Sequence, residues 1–347
     1  MAMGYRLDRY GRQVPVGLSA RQTDFSELPV IDLAPMFGSD PEAKRAMAQA
    51  LRSACIEVGF FYLKNHGVPQ PIIDQAFAAS AEFFALPYAE KMEIEQTRTP
   101  GYPGYTPMQE ESGDAKSRKR QEGFNMNLEL PLDDPYVTSR RPFFEPNSWP
   151  RRPAGFRDTL LTYFGEMRNL GQKLLGGFAL ALDLPEDHFQ PMITKPITMM
   201  RVNHYPPQED QASDDEDIGN GAHTDFECFT ILAQQKGITA LQVVNGKGEW
   251  ISVPPIPGTF VINIADQMER WTNDLFSSTM HRVLNKNAMD RTSIAFFFGS
   301  DDDIVMSPLP NCVPEGEAPK YPPIRAGDYV LGRVDNAYEG NLKKKLA

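Results

Sequence analysis

The stretch from Ile197 to Tyr329 constrains the fold of this chain more than any other part of its sequence. Its apolar runs are short and rich in Val, Ile, Phe and Thr, and turns of Gly, Pro, Asn and Asp separate them. This pattern is typical of many short strands that close into a double-sheet barrel. The predicted fold class is therefore mainly β with flanking helices, around a double-stranded β-helix (jelly roll) core.

The first half of the chain carries helical patterns instead. Asp40 followed by Pro41 marks a helix start, and Gly59 marks the end of the same helix. Short strands are predicted there at 28–33 and 60–63. Helices are predicted at 40–58 and 153–182, and a further helix is predicted to include residues 77–84. Segment 97–149 shows no regular pattern, and we expect it to supply part of a pocket wall.

With 347 residues the chain is long enough for two average domains or for one β barrel with helical additions. Pro and Gly are scattered as turn residues, and no internal repeat occurs. The sequence therefore predicts a single compact unit over 1–347. Its parts are a mainly helical amino-terminal part with a few strands at 1–196, a jelly-roll core that carries any catalysis at 197–335, and a C-terminal tail at 336–347.

Charge and cysteine content narrow the classes of function. Acidic residues outnumber basic ones by 46 to 35, and a net charge of -11 repels phosphate backbones and anionic lipids. We therefore expect a small-molecule substrate, with no nucleic acid and no membrane as partner, and the sequence leaves the oligomeric state open. No segment approaches the roughly 18 apolar residues of a membrane span. Three distant cysteines without a CxxC pair favour a reducing cytoplasm.

Two charged runs are predicted to be solvated loops rather than binding sites. The basic run at 116–120 lies in a chain that is negative as a whole, which disfavours a nucleic-acid patch. The acidic run at 209–217 is expected to form a mobile surface loop. Whether this loop also repels anions from a nearby entrance is left open.

His223, Asp225 and His281 are the candidate metal ligands. His223-Thr224-Asp225 precedes a strand-like run at 229–232, where alternation would put 223 and 225 on the same side. Two imidazoles and one carboxylate on one face of a metal are typical of non-haem iron(II) oxygenases. Taken alone this is a weak signal, because a hydrogen-bonded core position is the commoner role of a histidine.

Arg291 and Ser293 form a candidate carboxylate site at the start of the apolar strand 294–298. The planar fork of an arginine binds a carboxylate through two parallel hydrogen bonds. A hydroxyl two residues further along a strand points to the same side and completes the contact. The alternative for Arg291 is a salt bridge on an edge strand.

These segments together resemble the isopenicillin N synthase-like family of 2-oxoglutarate/iron(II)-dependent dioxygenases. In the second half the resemblance rests on His223-Thr224-Asp225-Phe226, Leu241-Gln242-Val243, Glu249-Trp250, Pro257-Gly258-Thr259-Phe260-Val261-Ile262-Asn263-Ile264, Trp271-Thr272-Asn273, His281-Arg282-Val283 and Arg291-x-Ser293. In the first half it rests on 28–33, Gly59-Phe60-Phe61-Tyr62 and Asn65-His66-Gly67-Val68. The similarity covers nearly the whole chain and is specific for the family, but it does not indicate a substrate.

The resemblance implies Fe(II) on His223, Asp225 and His281, with 2-oxoglutarate as co-substrate and O2 as oxidant. It also implies that Arg291 and Ser293 bind the distal carboxylate of 2-oxoglutarate. Asn203 and Tyr205 resemble the family's Asn-x-Tyr-Pro strand and are expected to face the co-substrate, whereas His204 and His66 are expected to be structural.

The activity implied by the resemblance is oxidation of an unactivated C–H bond of a small molecule. Hydroxylation, desaturation or cyclisation would accompany the release of succinate and CO2. One alternative is an iron oxidase of the isopenicillin N synthase type that needs no 2-oxoglutarate. Another is a small-molecule binding protein without turnover.

Strand alternation also predicts a substrate pocket. If Arg291 and Ser293 point into the barrel, then Phe297 points inward too, and Phe226 is a candidate second ring. The alternative for Phe297 is ordinary barrel filling. Glu227 stands where many relatives have a small residue, and we expect it either to approach the pocket or to pair with a nearby base.

Overall fold

The computed structural model describes residues 5–7, 13–15, 28–98, 103–108, 121–207, 219–245, 249–285 and 288–337. The basic run at 116–120, the acidic run at 209–217 and the tail beyond 337 lie outside these residues. In the described part, no helix is both long enough and apolar enough to cross a membrane.

Short strands dominate the second half, as the sequence predicts. The strands are β1 Tyr5–Leu7, β2 Gln13–Pro15, β3 Val30–Asp32, β4 Phe60–Lys64, β5 Gly104–Thr106, β6 Glu122–Asn127, β7 Pro196–Tyr205, β8 Gly219–His223, β9 Phe229–Gln234, β10 Leu241–Val244, β11 Trp250–Ser252, β12 Thr259–Ile264, β13 His281–Leu284, β14 Arg291–Asp301, β15 Val305–Met306 and β16 Ile324–Arg325. The helices are α1 Pro41–Glu57, α2 Gln70–Phe84, α3 Tyr88–Lys91, α4 Pro135–Thr138, α5 Phe156–Ala181, α6 Asp266–Trp271 and α7 Ala326–Ala337.

Two sheets form the core. One has eight strands in the order β3-β4-β12-β9-β14-β7-β6-β5, and the other has four in the order β11-β10-β13-β8. An apolar cluster joins them, because Phe60 and Val261 of the large sheet share it with Leu241, Val243 and Ile251 of the small one. The prediction of a mainly β fold with flanking helices around a double-stranded core is therefore confirmed.

Helices cover the other face of the large sheet. The ring of Phe164 in α5 meets Phe296 of β14 edge-on at 4.8 Å between centroids. Gly171 of α5 allows this close approach, since a Cβ there would lie 2.3 Å from the ring of Phe298. Most of the hydrophobic core thus lies between the large sheet and the helices α1, α2 and α5, outside the barrel.

Helix α1 begins and ends as the sequence predicts. The Oδ1 atom of Asp40 accepts hydrogen bonds from the backbone of Glu42 at 2.9 Å and of Ala43 at 3.3 Å, which caps the helix. Gly59 follows its last turn with φ +72, and a Cβ there would lie 2.0 Å from the carbonyl oxygen of Ser277. The positive φ and the close carbonyl oxygen both favour glycine at this position. Strand β4 starts at the next residue.

Segment 97–149 contains more structure than the sequence predicts. Strand β6 pairs with β7 over its whole length, and β5 pairs with β6, so the expectation of an irregular segment was wrong here. In β6 only Phe124 and Met126 are apolar, and both lie in the outer core. The alternate residues Asn125 and Asn127 are polar, which hides the strand in the sequence although all six residues are buried.

Candidate active site

Pairing between two strands of the small sheet brings the candidate metal ligands together. His223 is the last residue of β8 and His281 the first of β13, and the two stand opposite each other in the register. Their ring centroids are 4.2 Å apart. Asp225 follows the end of β8, so alternation within one strand was the wrong reason for expecting 223 and 225 on the same side.

The three side chains converge on one point. Oδ1 of Asp225 lies 3.6 Å from Nε2 of His223 and 3.7 Å from Nε2 of His281. One ligand atom from each residue falls within 4.8 Å of the others. Within the described ranges, no other cluster of His, Cys, Asp and Glu has this geometry.

Backbone carbonyls set the orientation of both imidazoles. Nδ1 of His223 donates to the oxygen of Gly221 at 2.7 Å, and Nδ1 of His281 donates to that of Thr279 at 3.2 Å. A carbonyl oxygen only accepts, so Nδ1 carries the proton in each ring. The lone pair of Nε2 is thereby turned towards the common centre, as metal binding requires.

Two polar side chains hold the carboxylate of Asp225. Its Oδ2 accepts hydrogen bonds from Thr230 and, at 2.9 Å, from Nδ2 of Asn263, which leaves Oδ1 towards the imidazoles. Burial by itself raises the pKa of Asp225. The nearby His281 and His223, together with these hydrogen bonds, lower the pKa by more than burial raises it, so the pKa ends below its ordinary value. The centre is therefore predisposed to bind a cation.

Thr230 and Asn263 were missed in the sequence. Each is the lone polar residue in an apolar run of its strand, Phe229-Thr230-Ile231-Leu232 and Val261-Ile262-Asn263-Ile264. A buried polar group normally has a hydrogen-bond partner, so an isolated polar residue in such a strand indicates that one lies nearby. Here that partner is the candidate ligand Asp225.

The register of the large sheet puts Phe297 at the level of the metal centre. Asn263, Thr230, Phe297, Met199 and Asn127 form one row across β12, β9, β14, β7 and β6. Thr230 contacts Asp225, so this row faces the barrel interior. Phe297 is partly exposed there, and it joins no cluster of the hydrophobic core among the described residues.

Arg291 lies on the same inner face, opposite Tyr205 of β7. Its side chain is almost fully buried, yet neither Nε nor Nη1 has a hydrogen-bond partner. The guanidinium lies 4.9 Å from the Tyr205 ring centroid. Burial lowers the pKa of Arg291, and Tyr205 offsets part of that shift.

The surroundings of Arg291 favour a carboxylate from outside the protein. Burying unpaired donors is costly, and a carboxylate would supply the guanidinium with a charged acceptor. β14 is flanked by β9 and β7, so an edge-strand salt bridge is excluded by the sheet order. Ser293 and Asn203 occupy the next row of the same face, and Oδ1 of Asn203 accepts a hydrogen bond from Nε of Arg201 at 2.7 Å.

The residues that follow Asp225 contact the C-terminal helix and the core. The guanidinium of Arg333 in α7 lies 4.7 Å from the ring centroid of Phe226. Glu227 is buried, and burial together with the charges of Asp225 and Asp266 raises its pKa to about 7. Among the described residues Glu227 makes no ion pair, so the pairing with a base is not observed.

The two histidines expected to be structural, His204 and His66, lie away from the candidate metal centre. His204 bridges Oε1 of Glu122 at 2.8 Å and Oδ1 of Asp290 at 3.1 Å. Nδ1 of His66 accepts a hydrogen bond from the backbone of Val68 at 3.2 Å, and its ring lies 4.4 Å from that of Phe260. Neither ring contributes to the metal cluster.

Comparison with known proteins agrees with this geometry. Residues 28–152 match the family described as the amino-terminal part of the non-haem dioxygenase in morphine synthesis. Residues 196–300 match the 2OG-Fe(II) oxygenase superfamily. The chain belongs to the 2-oxoglutarate/iron(II)-dependent oxygenases. The predicted resemblance is thus confirmed.

Relatives from fungi and plants extend over nearly the whole chain. The 2-oxoglutarate-Fe(II) type oxidoreductase hxnY of Emericella nidulans is 37% identical, covering 92% of this chain and 93% of its own. The homoarginine-6-hydroxylase 2-ODD-233 of Oryza sativa subsp. japonica is 35% identical, with 90% and 98% covered. A full-length protein of Neurospora crassa, solved in complex with alpha-KG and thymine, has a TM-score of 0.80 at 26% identity, over 90% of this chain and 97% of that one.

These matches establish the class of enzyme. The protein is an oxidoreductase of the Fe(II)/2-oxoglutarate-dependent dioxygenase type, which oxidises small molecules and uses Fe(II), 2-oxoglutarate and O2. The jelly-roll core is likewise shared with its structural neighbours. The alternatives of a 2-oxoglutarate-independent oxidase and of a binding protein without turnover are not favoured.

Proposed function

We propose that this enzyme oxidises an unactivated C–H bond of a small molecule in the barrel, with His223, Asp225 and His281 as the iron(II) ligands. The donor set supports this assignment, because two imidazole nitrogens and one carboxylate oxygen on one side leave positions open for co-substrate and dioxygen. When bound there, iron with 2-oxoglutarate supplies the activation of dioxygen that oxidises the C–H bond and releases succinate and CO2.

The single observation that carries the residue assignment is the unpaired guanidinium of Arg291. Its Nε and Nη1 lie on the inner face without acceptors, and the distal carboxylate of 2-oxoglutarate would supply an acceptor there. Ser293 shares this face and would add a hydroxyl contact. Tyr205 would hold the guanidinium in place through its ring, and its hydroxyl is a further candidate contact for the co-substrate.

Asn203 has a more limited role in this proposal. It lies in the same row as Ser293, but its Oδ1 already accepts from Arg201. We therefore assign it to the wall beside the co-substrate, where it acts partly by orienting Arg201.

The protein's own residues prepare the centre in two ways. Gly221 and Thr279 fix the imidazole tautomers through their carbonyls. Thr230 and Asn263 hold Asp225 so that one oxygen faces the metal. Orientation of this kind lowers the reorganisation needed when the metal and the co-substrate bind.

Phe297 would form the wall of the substrate pocket. It lies in the row of Thr230, is partly exposed inside the barrel, and alternates with the fully buried Phe296 and Phe298. An aromatic face at this level suits a substrate with a flat or apolar part. Phe226 and Glu227 are weaker candidates, since the first packs against Arg333 and the second is buried.

The relatives do not select one substrate for this pocket. Their names give a 6-hydroxylase of homoarginine in rice and a complex with thymine in Neurospora crassa. Hydroxylation, desaturation and cyclisation all remain outcomes that the pose of the substrate would decide. We further propose that residues 1–347 act as one unit in the cytoplasm, which suits three cysteines that are all free.

An anaerobic titration tests the proposed function. Metal-free enzyme is mixed with Fe(II) and then with 2-oxoglutarate, and the visible absorption of an iron-chelated 2-oxo acid is followed. Wild type should develop this absorption, whereas Arg291→Ala should need far more 2-oxoglutarate. Admission of air should then give succinate. Absorption and succinate that do not depend on Arg291 would refute the assignment of the co-substrate site.

A further inference from the structure

Arg201 of β7 is a second guanidinium on the inner face of the large sheet. The register places it opposite Ala295 of β14 and Asn125 of β6. Its row therefore lies between the row of Thr230 and Phe297 and that of Ser293 and Asn203.

Neutral oxygen atoms hold Arg201 in a fixed position. Its Nε donates to Oδ1 of Asn203 at 2.7 Å, and its Nη1 donates to Oδ1 of Asn125 at 2.8 Å and to Oγ1 of Thr106 at 3.2 Å. Oε1 of Gln96 in turn accepts from Thr106 at 2.7 Å and from Nδ2 of Asn125 at 2.9 Å. This network turns the oxygens of Asn125 and Thr106 towards the guanidinium.

The charge of Arg201 is not balanced within the described residues. Arg141 and Lys91, which are also buried or half-buried, pair with Asp302 and Glu122. Arg201 forms no ion pair with any residue that the structure describes, and its three hydrogen bonds leave Nη2 unused. A half-buried cation of this kind favours an anionic ligand.

Gly123 and Asn127 of β6 lie on opposite sides of Arg201. A Cβ at Gly123 would lie 2.7 Å from Nη2 of Arg201, so glycine allows the guanidinium to lie against β6. Asn127, two residues beyond Asn125 on the same face of β6, is buried, and its Nδ2 has no hydrogen-bond partner. The guanidinium therefore leans towards Gly123, Thr106 and Asn203, on the side away from Asn127, and its Nη2 is the candidate contact for an anion.

We propose that the primary substrate is a carboxylic acid whose carboxylate binds Nη2 of Arg201. This inference rests on the proposed function, because Arg291 must already serve the carboxylate of 2-oxoglutarate. The net charge of the chain opposes the entry of anions, so a local cation is needed to retain one. Asn203, Asn125 and Thr106 act as positioning residues for Arg201.

The test uses a panel of small carboxylic acids, each paired with its neutral primary amide. Full-length enzyme with Mn(II) and saturating 2-oxoglutarate is melted with each compound, and enzyme with Fe(II) in air is assayed for substrate-stimulated succinate. The acids should bind and stimulate better than their amides. Arg201→Gln should weaken the acid response at least about tenfold, as expected for a lost charge-assisted contact, while the KM for 2-oxoglutarate changes by less.

Two further variants make the result decisive. Arg168→Gln removes one positive charge from α5 outside the barrel and should behave as wild type. Gly123→Ala keeps Arg201 but displaces its tip, and it serves if Arg201→Gln does not fold. The proposal is wrong if no acid shifts the melt of wild type more than that of Arg201→Gln or Gly123→Ala, or if acids and amides act equally.

Failure of the proposed function would be seen separately. In that case wild type would show no stabilisation by 2-oxoglutarate and metal before any acid is added. A large rise in the KM for 2-oxoglutarate in Arg201→Gln would instead assign this arginine to the co-substrate and overturn the acid-substrate proposal.

Discussion

The two faces of strand β14 have different surroundings, since the outer face packs in the hydrophobic core and the inner face lines the barrel. On the outer face Ile294, Phe296 and Phe298 are fully buried against the helices and neighbouring strands. On the inner face Arg291 has unpaired donors and Phe297 is partly exposed. The side chains alternate, so one strand contributes to the hydrophobic core with every second residue and to the proposed active site with the others.

Packing on the outer face allows the barrel to tolerate unpaired polar groups in its interior. Buried donors without partners cost free energy, and Arg291 contributes two. The aromatic contacts of the outer face offset such costs, for example Phe298 stacked on Phe229 at 5.2 Å. Substitutions on the two faces should therefore affect different measurements.

The largest effect is expected at the three proposed metal ligands. His223→Ala, Asp225→Ala and His281→Ala should each reduce turnover to background, because two remaining ligands hold iron(II) too weakly. Iron content after desalting and succinate formation measure this loss. Asp74→Ala, an exposed carboxylate of α2, is the matched control. Full activity in any of the three ligand variants would contradict the assignment.

The next largest effect is expected at Arg291. Arg291→Ala should raise the KM for 2-oxoglutarate roughly 30-fold to several thousand-fold, since a buried carboxylate loses a contact of about 2–5 kcal/mol. The melting temperature of the metal-free protein should fall little, because the removed donors had no partners. Turnover of wild type that proceeds equally well without 2-oxoglutarate would favour the oxidase alternative instead.

Alanine substitutions at the adjacent residues Phe296 and Phe297 test the difference between the two faces of β14 most directly. Phe296→Ala should lower the free energy of unfolding by about 3–5 kcal/mol, because it leaves a cavity against α5. Phe297→Ala should cost less stability but should weaken substrate binding and let 2-oxoglutarate decarboxylate without substrate oxidation. Denaturant melts and the ratio of succinate to oxidised product distinguish the two. A destabilised Phe297→Ala with unchanged coupling would identify Phe297 as core instead.

The smallest effect is expected on helix α5. Gly171→Ala should destabilise by about 1–3 kcal/mol, because the added methyl group meets the Phe298 ring. Gly165→Ala on the same helix meets nothing within 4 Å, so it should stabilise by about 0.5–1 kcal/mol. Neither change should alter the KM for 2-oxoglutarate. A change in that KM would mean that the two faces are coupled.

The sequence by itself determined those features that depend on local chemistry. A cap and a proline predicted the start of α1, and Gly59 predicted its end, since both act within a few residues. The spacing of two between Arg291 and Ser293 predicted a shared face, because strand alternation is a property of the backbone. The motif around His223 and Asp225 likewise indicated the family.

Only the tertiary structure decided which distant residues meet. His281 reaches His223 because β13 pairs with β8, and no local pattern encodes the partner of a strand. Strand β6 was missed because its inward residues are polar, and Asn125 contacts Arg201 only because β6 pairs with β7. Pairing between remote segments depends on the packing of the whole barrel, and it places these side chains around one centre.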